Sequence, residues 1–126
     1  MIVGIGLDIV ETGQLRRLLT EQGDRFEQRV FTANERRTCN SRADREQALA
    51  ARFAAKEACL KALGTGVDHG LSFLQVEIVE QEGGGGPALH LTGAAAERAR
   101  ERGVRHVHVS LSHQPGMAAA AVVLEG

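Results

Sequence analysis

The stretch from Ala43 to Leu63 constrains the fold most, because it contains neither glycine nor proline. Ala, Leu, Glu, Arg and Lys dominate it, and these strong helix formers predict one long helix over about 43–63. Gly64 follows where a helix C-terminal glycine belongs, and residues 64–70 are predicted to form a loop. At about 100° per residue the stretch is apolar on two sides, which predicts a helix buried on both faces.

One side of this helix carries large apolar residues and the opposite side carries alanines. The large residues are Leu49, Phe53, Leu60 and Leu63, and the small ones are Ala50, Ala51, Ala54, Ala55, Ala58 and Ala62. Glu57 and Lys61 fall at the seam between these sides, and Lys56 falls inside the leucine stripe. A surface pair of Glu57 with Lys61 would contribute only about 0.2 to 0.5 kcal/mol. Because burying a charge costs far more, we expect a partner elsewhere, and a metal ion or phosphate is the natural candidate.

The remaining elements predict an α+β fold. Further helices are expected to start with Thr12, Asp24 and Thr32 as N-caps, the last in a capping box with Glu35, and a later helix covers 93–102. Strands are predicted over 2–9, 74–80, 88–91, 104–111 and 117–124. This order predicts one domain, residues 1–126, in which a largely antiparallel sheet packs on the long helix.

Composition limits the classes of function. A chain of 126 residues with four Phe and no Trp or Tyr predicts a modest, alanine-packed core, which often needs a partner subunit to complete it. The net charge of -1 gives no global attraction to nucleic acid or anionic membrane. Cys39 and Cys59 are too few for a disulfide framework or a metal cluster, which favours reduced thiols in a cytoplasmic protein. Without a basic leader or an apolar run of about 20 residues, the chain is expected to be neither secreted nor membrane-embedded.

A second carboxylate, Asp8, ends the first predicted strand. As an isolated residue it would only cap a turn. Gly4 and Gly6 precede it, but position 9 is Ile9, so the third glycine of a dinucleotide-binding fingerprint is missing. Two carboxylates on separate elements, with lysines and a glycine-threonine loop, fit Mg²⁺, which takes one or two protein carboxylates together with water and phosphate oxygens.

Other candidate sites have weaker support. His106 and His108 share a strand face, but two histidines without a third ligand are a weak indication of zinc. Ser110 and Ser112 lie outside any G-x-S-x-G nucleophile elbow. Basic residues gather in the early helices and are typical of a solvated surface, although as a group they can form a docking patch for an acidic partner. They are Arg16, Arg17, Arg25, Arg29, Arg36 and Arg37.

In combination, these motifs resemble a known family. The segment Gly4 to Ile9, with Arg52 to Ala58 and Lys61 to Gly66 in and after the long helix, closely resembles the paired signatures of 4'-phosphopantetheinyl transferases. The small size and the segment His108 to His113 are similar to the bacterial holo-[acyl-carrier-protein] synthase group. The resemblance spans nearly the whole chain and implies the fold of that superfamily.

The resemblance implies transfer of the 4'-phosphopantetheine arm from coenzyme A to a serine of an apo acyl carrier protein, for fatty acid or polyketide synthesis. By this resemblance, Asp8 and Glu57 hold Mg²⁺ against the pyrophosphate, and Lys61 stabilises or protonates the leaving phosphate. Glu57 or a metal-positioned water accepts the serine proton. The implied coenzyme A-binding residues are Arg52, Lys61, Gly64, Thr65, Gly66, His108 and Ser110.

The resemblance also implies partners. Arg16, Arg25 and Arg29 are expected to dock the acidic carrier protein, and the assembly is expected to be a homotrimer with each site between two subunits. Two other readings stay open at this point. One is a non-catalytic module of the same fold that binds coenzyme A or a nucleotide, and the other is a structural oligomer whose buried charges fix its register.

Overall fold

The helices and strands follow the predicted α+β order. The computed structural model describes residues 1–67 and 70–126. In chain order the elements are β1 (Ile2–Glu11), α1 (Thr12–Gln22), α2 (Asp24–Val30), α3 (Ala33–Asn40), α4 (Arg45–Ala62), β2 (Val76–Glu80), β3 (Pro87–Leu91), α5 (Gly93–Glu101), β4 (His106–Gln114) and β5 (Met117–Glu125). Short 3-10 turns at Phe73–Gln75 and Glu82–Gly84 flank β2. The α+β class is therefore confirmed.

The strands form two antiparallel sheets rather than one. A three-stranded sheet has the order β1-β5-β4, and within residues 1–67 and 70–126 β2 pairs with β3 alone. A helix, α5, rather than a tight hairpin joins β3 to β4, so these neighbours in sequence do not pair. On β5 the inward face is buried while the residues between are only half-buried. The buried members are Ala118, Ala120, Val122 and Leu124.

Helix α4 is buried on both faces, as its two apolar sides predicted. Its backbone at Ala58 and Ala62 lies directly against β1. On the other side, the Phe53 ring packs on the Phe26 and Phe73 rings, with centroid separations of 5.9 Å and 5.6 Å. The core therefore combines an alanine layer under the sheet with a phenylalanine cluster under α2 and β2.

Two predicted N-caps are wrong and one is confirmed. Thr12 and Asp24 are the first residues inside their helices rather than caps, because β1 extends up to the residue before Thr12 and Gly23 precedes α2. At Thr32 the capping box is present. Its hydroxyl oxygen accepts from the Glu35 backbone N–H at 3.2 Å, and the Glu35 carboxylate accepts from the Thr32 N–H at 2.9 Å.

The segment after α4 follows the prediction with shifted boundaries. Gly64 has φ of 77°, the left-handed conformation that lets a glycine end a helix. The predicted loop 64–70 includes Asp68 and His69, which lie outside the described residues. The strand predicted over 74–80 starts two residues later, after a 3-10 turn. Among the residues described, no helix is long and apolar enough to cross a membrane.

Candidate functional site

Asp8 lies on β1 with its side chain towards α4. The Lys61 ammonium of α4 donates to Asp8 Oδ1 at 2.8 Å and to the Leu7 carbonyl oxygen at 3.1 Å. The Asp8 side chain is only 12% exposed. Its second oxygen, Oδ2, is buried and has no hydrogen-bond partner within the described residues. A buried carboxylate oxygen without a partner is costly, so this atom points to a missing cation or donor.

Glu57 lies half-buried beside Asp8. Burial raises the pKa of the Glu57 carboxyl to about 7, and the neighbouring Asp8 carboxylate adds to this, while Lys61 opposes it. Two carboxylates this close resist simultaneous ionisation unless a cation joins them. With the unpartnered Asp8 Oδ2, they form the hard oxygen donor set that a Mg²⁺ ion would complete.

Few other metal ligands surround this pair. Within residues 1–67 and 70–126, no three or more His, Cys, Asp and Glu side chains form a group that could hold a metal ion. Transition-metal cages of the zinc type need three or four such ligands. Two carboxylates fit Mg²⁺ instead, because this ion keeps several water or phosphate oxygens in its shell.

Lys61 is more exposed than its predicted position at the seam between two apolar faces suggested. Its side chain is 57% exposed, because the last turn of α4 leaves this side of the helix open. The ammonium pairs with Asp8 on β1, and this hydrogen bond is the main cause that raises the Lys61 pKa. Lys61 therefore joins strand to helix instead of pairing along the helix with Glu57.

Lys56, which had no assigned role, is part of a separate buried network. Its ammonium lies 2.8 Å from Glu35 Oε1 and donates to the carbonyl oxygens of Phe73 at 2.9 Å and Val76 at 2.6 Å. Burial lowers the Lys56 pKa, and the Glu35 charge opposes this. Glu35 Oε2 accepts from the Ile78 backbone N–H at 2.8 Å. The pair therefore ties α3, α4 and β2 together.

Arg52 lines a cavity, here called the Arg52 cavity, on another side of α4 from Glu57. It is 4% exposed, and its guanidinium lies 3.2 Å from both Glu80 Oε1 and the Ala48 carbonyl oxygen. Its Nε is buried without a partner among the described residues. Because Arg52 and Glu57 are five residues apart, they point about 140° apart around the helix axis. The cavity, of ≈ 330 Å³, also contains Ser110.

Arg42 and His113, which were not selected as site residues from the sequence, also line the Arg52 cavity. Arg42 lies in the turn before α4, where it pairs with Asp44 at 2.8 Å, and His113 lies near the end of β4. His113 belongs to the segment that carried the resemblance, so it was within reach of motif reading. Arg42 had no such signal, because only the packing of the turn against β4 brings it to the cavity.

The glycine-threonine loop, residues 64–66, lies at a different cavity from Arg52. Gly64 and Thr65 line a cavity of ≈ 500 Å³ at the C-terminal end of α4, together with Leu71 and α5. The Thr65 backbone N–H donates to the Leu60 carbonyl oxygen at 3.0 Å and closes the helix end. Gly66 follows in an exposed stretch outside helix and strand. Within one chain, five of the predicted coenzyme A-binding residues are thus divided between two cavities and the Lys61–Asp8 pair. They are Arg52, Lys61, Gly64, Thr65 and Ser110.

His108 is not in either cavity. It lies on the outer face of the three-stranded sheet, where its Nε2 is 2.9 Å from Glu125 Oε1 and its ring centroid is 6.4 Å from that of His106. The two histidines share a face, as the alternation predicted. A single chain does not bring His108 to the other predicted coenzyme A-binding residues.

The outer face of this sheet is apolar and exposed. Ile5, Leu7 and Ile9 of β1 are 67%, 61% and 59% exposed. Their direct partners on β5 share the same face and are also small or apolar. These partners are Val123, Ala121 and Ala119. A patch of this kind on a small protein is typical of an interaction surface.

The predicted docking arginines lie exposed on the first two helices. Arg16 pairs with Glu46 of α4, and Arg29 donates to the Gln22 side chain at 2.7 Å. Arg25 is exposed at the start of α2. All three are open to solvent, so a partner protein can reach them.

A sequence model described as the 4'-phosphopantetheinyl transferase superfamily matches residues 4–122. The chain belongs to this superfamily. It is 49% identical over 129 residues to the holo-[acyl-carrier-protein] synthase of Anaeromyxobacter dehalogenans (strain 2CP-1), covering 100% of this chain and 98% of that protein. The match includes the whole Asp8 to Lys61 region.

Solved structures of transferases in this superfamily share the fold. The crystal structure of holo-[acyl-carrier-protein] synthase from Neisseria meningitidis superposes with a TM-score of 0.91 at 35% identity, covering 100% of both chains. The Helicobacter pylori enzyme, solved in complex with coenzyme A, gives a TM-score of 0.83 at 30% identity over 96% of this chain and 99% of that chain. The predicted fold and enzyme class, a phosphopantetheinyl transferase, are therefore confirmed.

Proposed function

We propose that this chain is a single domain, residues 1–126, that transfers 4'-phosphopantetheine from coenzyme A to a serine of an apo acyl carrier protein, in a Mg²⁺-dependent reaction. The observation that carries this proposal is the unpartnered Asp8 Oδ2 beside the Glu57 carboxyl of raised pKa, in a member of a transferase superfamily. The carrier protein is proposed as acceptor because the relatives are named holo-[acyl-carrier-protein] synthases. Coenzyme A is proposed as donor because the Helicobacter pylori enzyme was solved in complex with it.

Asp8 and Glu57 would hold Mg²⁺ through their carboxylate oxygens. When bound, the ion supplies Lewis-acid charge neutralisation for a pyrophosphate. The serine oxygen forms a bond to the phosphorus that carries pantetheine, and the bond from this phosphorus to the bridging oxygen breaks. Adenosine 3',5'-bisphosphate leaves. Such phosphoryl transfer needs positioning and electrostatic stabilisation rather than a protein nucleophile.

Lys61 and Glu57 move or hold the protons in this scheme. The hydrogen bond to Asp8 keeps the Lys61 pKa high, so its ammonium stays charged and can stabilise or protonate the leaving phosphate. The Glu57 carboxyl lies beside Asp8 at the centre of this scheme, where its ionised form can accept the serine proton. Either Glu57 or a water held at the site is the base.

We also propose that the complete site forms between subunits of a homotrimer. In one chain, Arg52 and Ser110 line a different cavity from Gly64 and Thr65. The exposed apolar face of β1 and β5 supplies a surface that a second copy would cover. His108 lies on this same face, so assembly would bring it to a neighbouring subunit's site.

The arginines of α1 and α2 would dock the carrier protein. Arg16, Arg25 and Arg29 are exposed on the two helices that follow β1 in the chain. Positive charge there complements an acidic partner and speeds its association. We place the reaction in the cytoplasm, in the supply of carriers for fatty acid synthesis.

Mass spectrometry tests this function directly. The chain is incubated with coenzyme A, Mg²⁺ and an apo acyl carrier protein, and the carrier is examined for the mass of one phosphopantetheine group. We expect the addition with the unmodified chain and its loss with Glu57→Gln. Coenzyme A binding without any addition over a panel of carriers would instead support the non-catalytic module.

A further inference from the structure

β1 lies directly against the backbone of α4 at Gly4 and Gly6. A Cβ atom added at Gly6 would lie 1.7 Å from the Ala58 carbonyl oxygen, and one at Gly4 would lie 2.1 Å from the Ala62 carbonyl oxygen. Real Cβ atoms do not approach a backbone oxygen to less than about 3 Å without displacing it. Both glycines have ordinary strand backbone without positive φ, so space rather than conformation excludes a side chain.

The spacing of this contact matches the two elements. Residues two apart on a strand lie about 6.7 Å apart, and helix residues four apart rise by about 6 Å. Gly4 and Gly6 therefore meet Ala62 and Ala58 in register, and a side chain at either position would push the strand from the helix. The contacting atoms on the helix belong to the backbone, which cannot rotate away as a side chain can.

The proposed metal ligands lie directly beside this contact. Asp8 is two residues after Gly6 and points to the same face of β1, and Glu57 precedes Ala58 on the helix. The ammonium of Lys61 bridges the same two elements. The separation of the two carboxylates therefore depends on how closely β1 approaches α4 at Gly6.

We propose that Gly6 is a positioning residue for the carboxylate pair: the absence of a side chain there sets the distance between Asp8 and Glu57 that Mg²⁺ requires. This inference rests on the proposed function. It adds that the ligand spacing is set by the backbone contact and not by adjustment of the carboxylate side chains. Mg²⁺ demands near-ideal octahedral geometry, so a small displacement of one ligand weakens it strongly.

The test compares Mg²⁺ binding by Gly6→Ala, by the unmodified chain and by Phe26→Leu, using calorimetry with saturating coenzyme A. Phe26 is a core residue away from β1, so its variant controls for lost stability. We expect Gly6→Ala to weaken Mg²⁺ binding at least tenfold and to lower kcat more than it raises KM for coenzyme A. Phe26→Leu should bind Mg²⁺ normally.

A second pair of variants keeps the test decisive if Gly6→Ala does not fold. Asp8→Glu and Glu57→Asp each change the reach of one carboxylate by one methylene and leave both glycines in place. If the backbone contact fixes the spacing, each variant should stay folded and lose at least tenfold in Mg²⁺ affinity.

The outcomes separate this inference from the proposed function. Unchanged Mg²⁺ affinity in a folded Gly6→Ala variant, or in both carboxylate variants, would overturn the positioning role while leaving the metal site intact. Failure of the unmodified chain to bind Mg²⁺ would overturn the metal assignment and the inference with it. Weakened Mg²⁺ binding in Gly6→Ala but not in Phe26→Leu supports it.

Discussion

Helix α4 carries two lysine–carboxylate pairs that differ in nearly every physical respect. Lys56 and Glu35 are both buried, with side chains that are 0% exposed, and the ammonium has three oxygen partners. Lys61 is 57% exposed, and its partner Asp8 keeps one buried oxygen without a hydrogen bond. The first pair is saturated by the protein itself, and the second is not.

This difference separates structure from function on one helix. A buried pair with every oxygen and N–H satisfied has no capacity left for a ligand, and it holds three elements in place. A pair that leaves a carboxylate oxygen unpartnered, next to a carboxyl that resists ionisation, has capacity for a cation. The unsatisfied pair, rather than the more buried one, therefore marks the candidate site.

The largest expected effect distinguishes the two lysines by stability. Lys56→Met leaves the Glu35 carboxylate buried without its cation, which should lower the free energy of unfolding by about 3 to 5 kcal/mol. Lys61→Met makes the same chemical change where the lysine is 57% exposed and the carboxylate is 12% exposed, so it should cost less, about 1 to 2 kcal/mol. Urea unfolding of both variants measures the difference. Similar losses in the two variants would contradict the distinction.

Lys61, whose replacement should cost less stability than that of Lys56, should matter more for activity. Lys61→Met removes the charge proposed to stabilise the leaving phosphate, and loss of one such group typically lowers kcat by about 10² to 10³-fold. Lys61→Arg, which keeps a positive charge, is the matched control and should retain more activity. Transfer rates are measured by mass spectrometry with apo carrier protein and coenzyme A. Full activity in Lys61→Met would remove Lys61 from the mechanism.

Mg²⁺ binding beside the unsatisfied pair should depend on pH through Glu57. In the metal-free fold Glu57 keeps its proton up to about pH 7, whereas its ordinary pKa is 4.5, so its contribution to stability falls as pH rises between these values. Mg²⁺ binds the ionised form and displaces that proton. The apparent Mg²⁺ affinity should therefore rise about tenfold per pH unit below 7 and level off above it. Calorimetry on either side of pH 7 measures this, and a flat profile would contradict the shifted pKa.

The smallest effect is expected when the saturated pair is replaced as a whole. Glu35→Leu together with Lys56→Met removes both charges, and such apolar replacements of buried pairs are often neutral or stabilising. The loss of the Thr32 capping bond and of the Ile78 N–H acceptor should leave a residual cost of about 1 to 2 kcal/mol. The double-mutant cycle, measured by urea unfolding, tests this. A double variant less stable than Lys56→Met would contradict it.

The sequence predicted local features well and tertiary pairing poorly. The limits of α4, its two buried faces and the Thr32 capping box follow from composition and spacing over a few residues. The partner of Lys56 could not be predicted from such local spacing, because Glu35 lies on another helix and meets Lys56 only after α3 packs on α4. The division of the strands into two sheets also depends on packing between elements distant in sequence.

The candidate site shows the same limit. The spacing on α4 and the resemblance together selected Asp8, Glu57 and Lys61, and the structure places these three side by side. Lys61 was placed at the seam between two apolar faces, and its actual exposure depends on which side of the last helical turn the sheet leaves open. Arg42 lines the Arg52 cavity because of how the turn before α4 packs, which no local sequence pattern encodes.

Mg²⁺ titration of Asp8→Asn and Glu57→Gln tests the central claim most directly. Each variant removes one carboxylate charge at nearly constant shape, so the fold should persist, and circular dichroism confirms this for each. With coenzyme A present, the unmodified chain should bind Mg²⁺, and each variant should bind at least tenfold more weakly. Unchanged Mg²⁺ affinity in either folded variant would contradict the claim that these two carboxylates form the metal site.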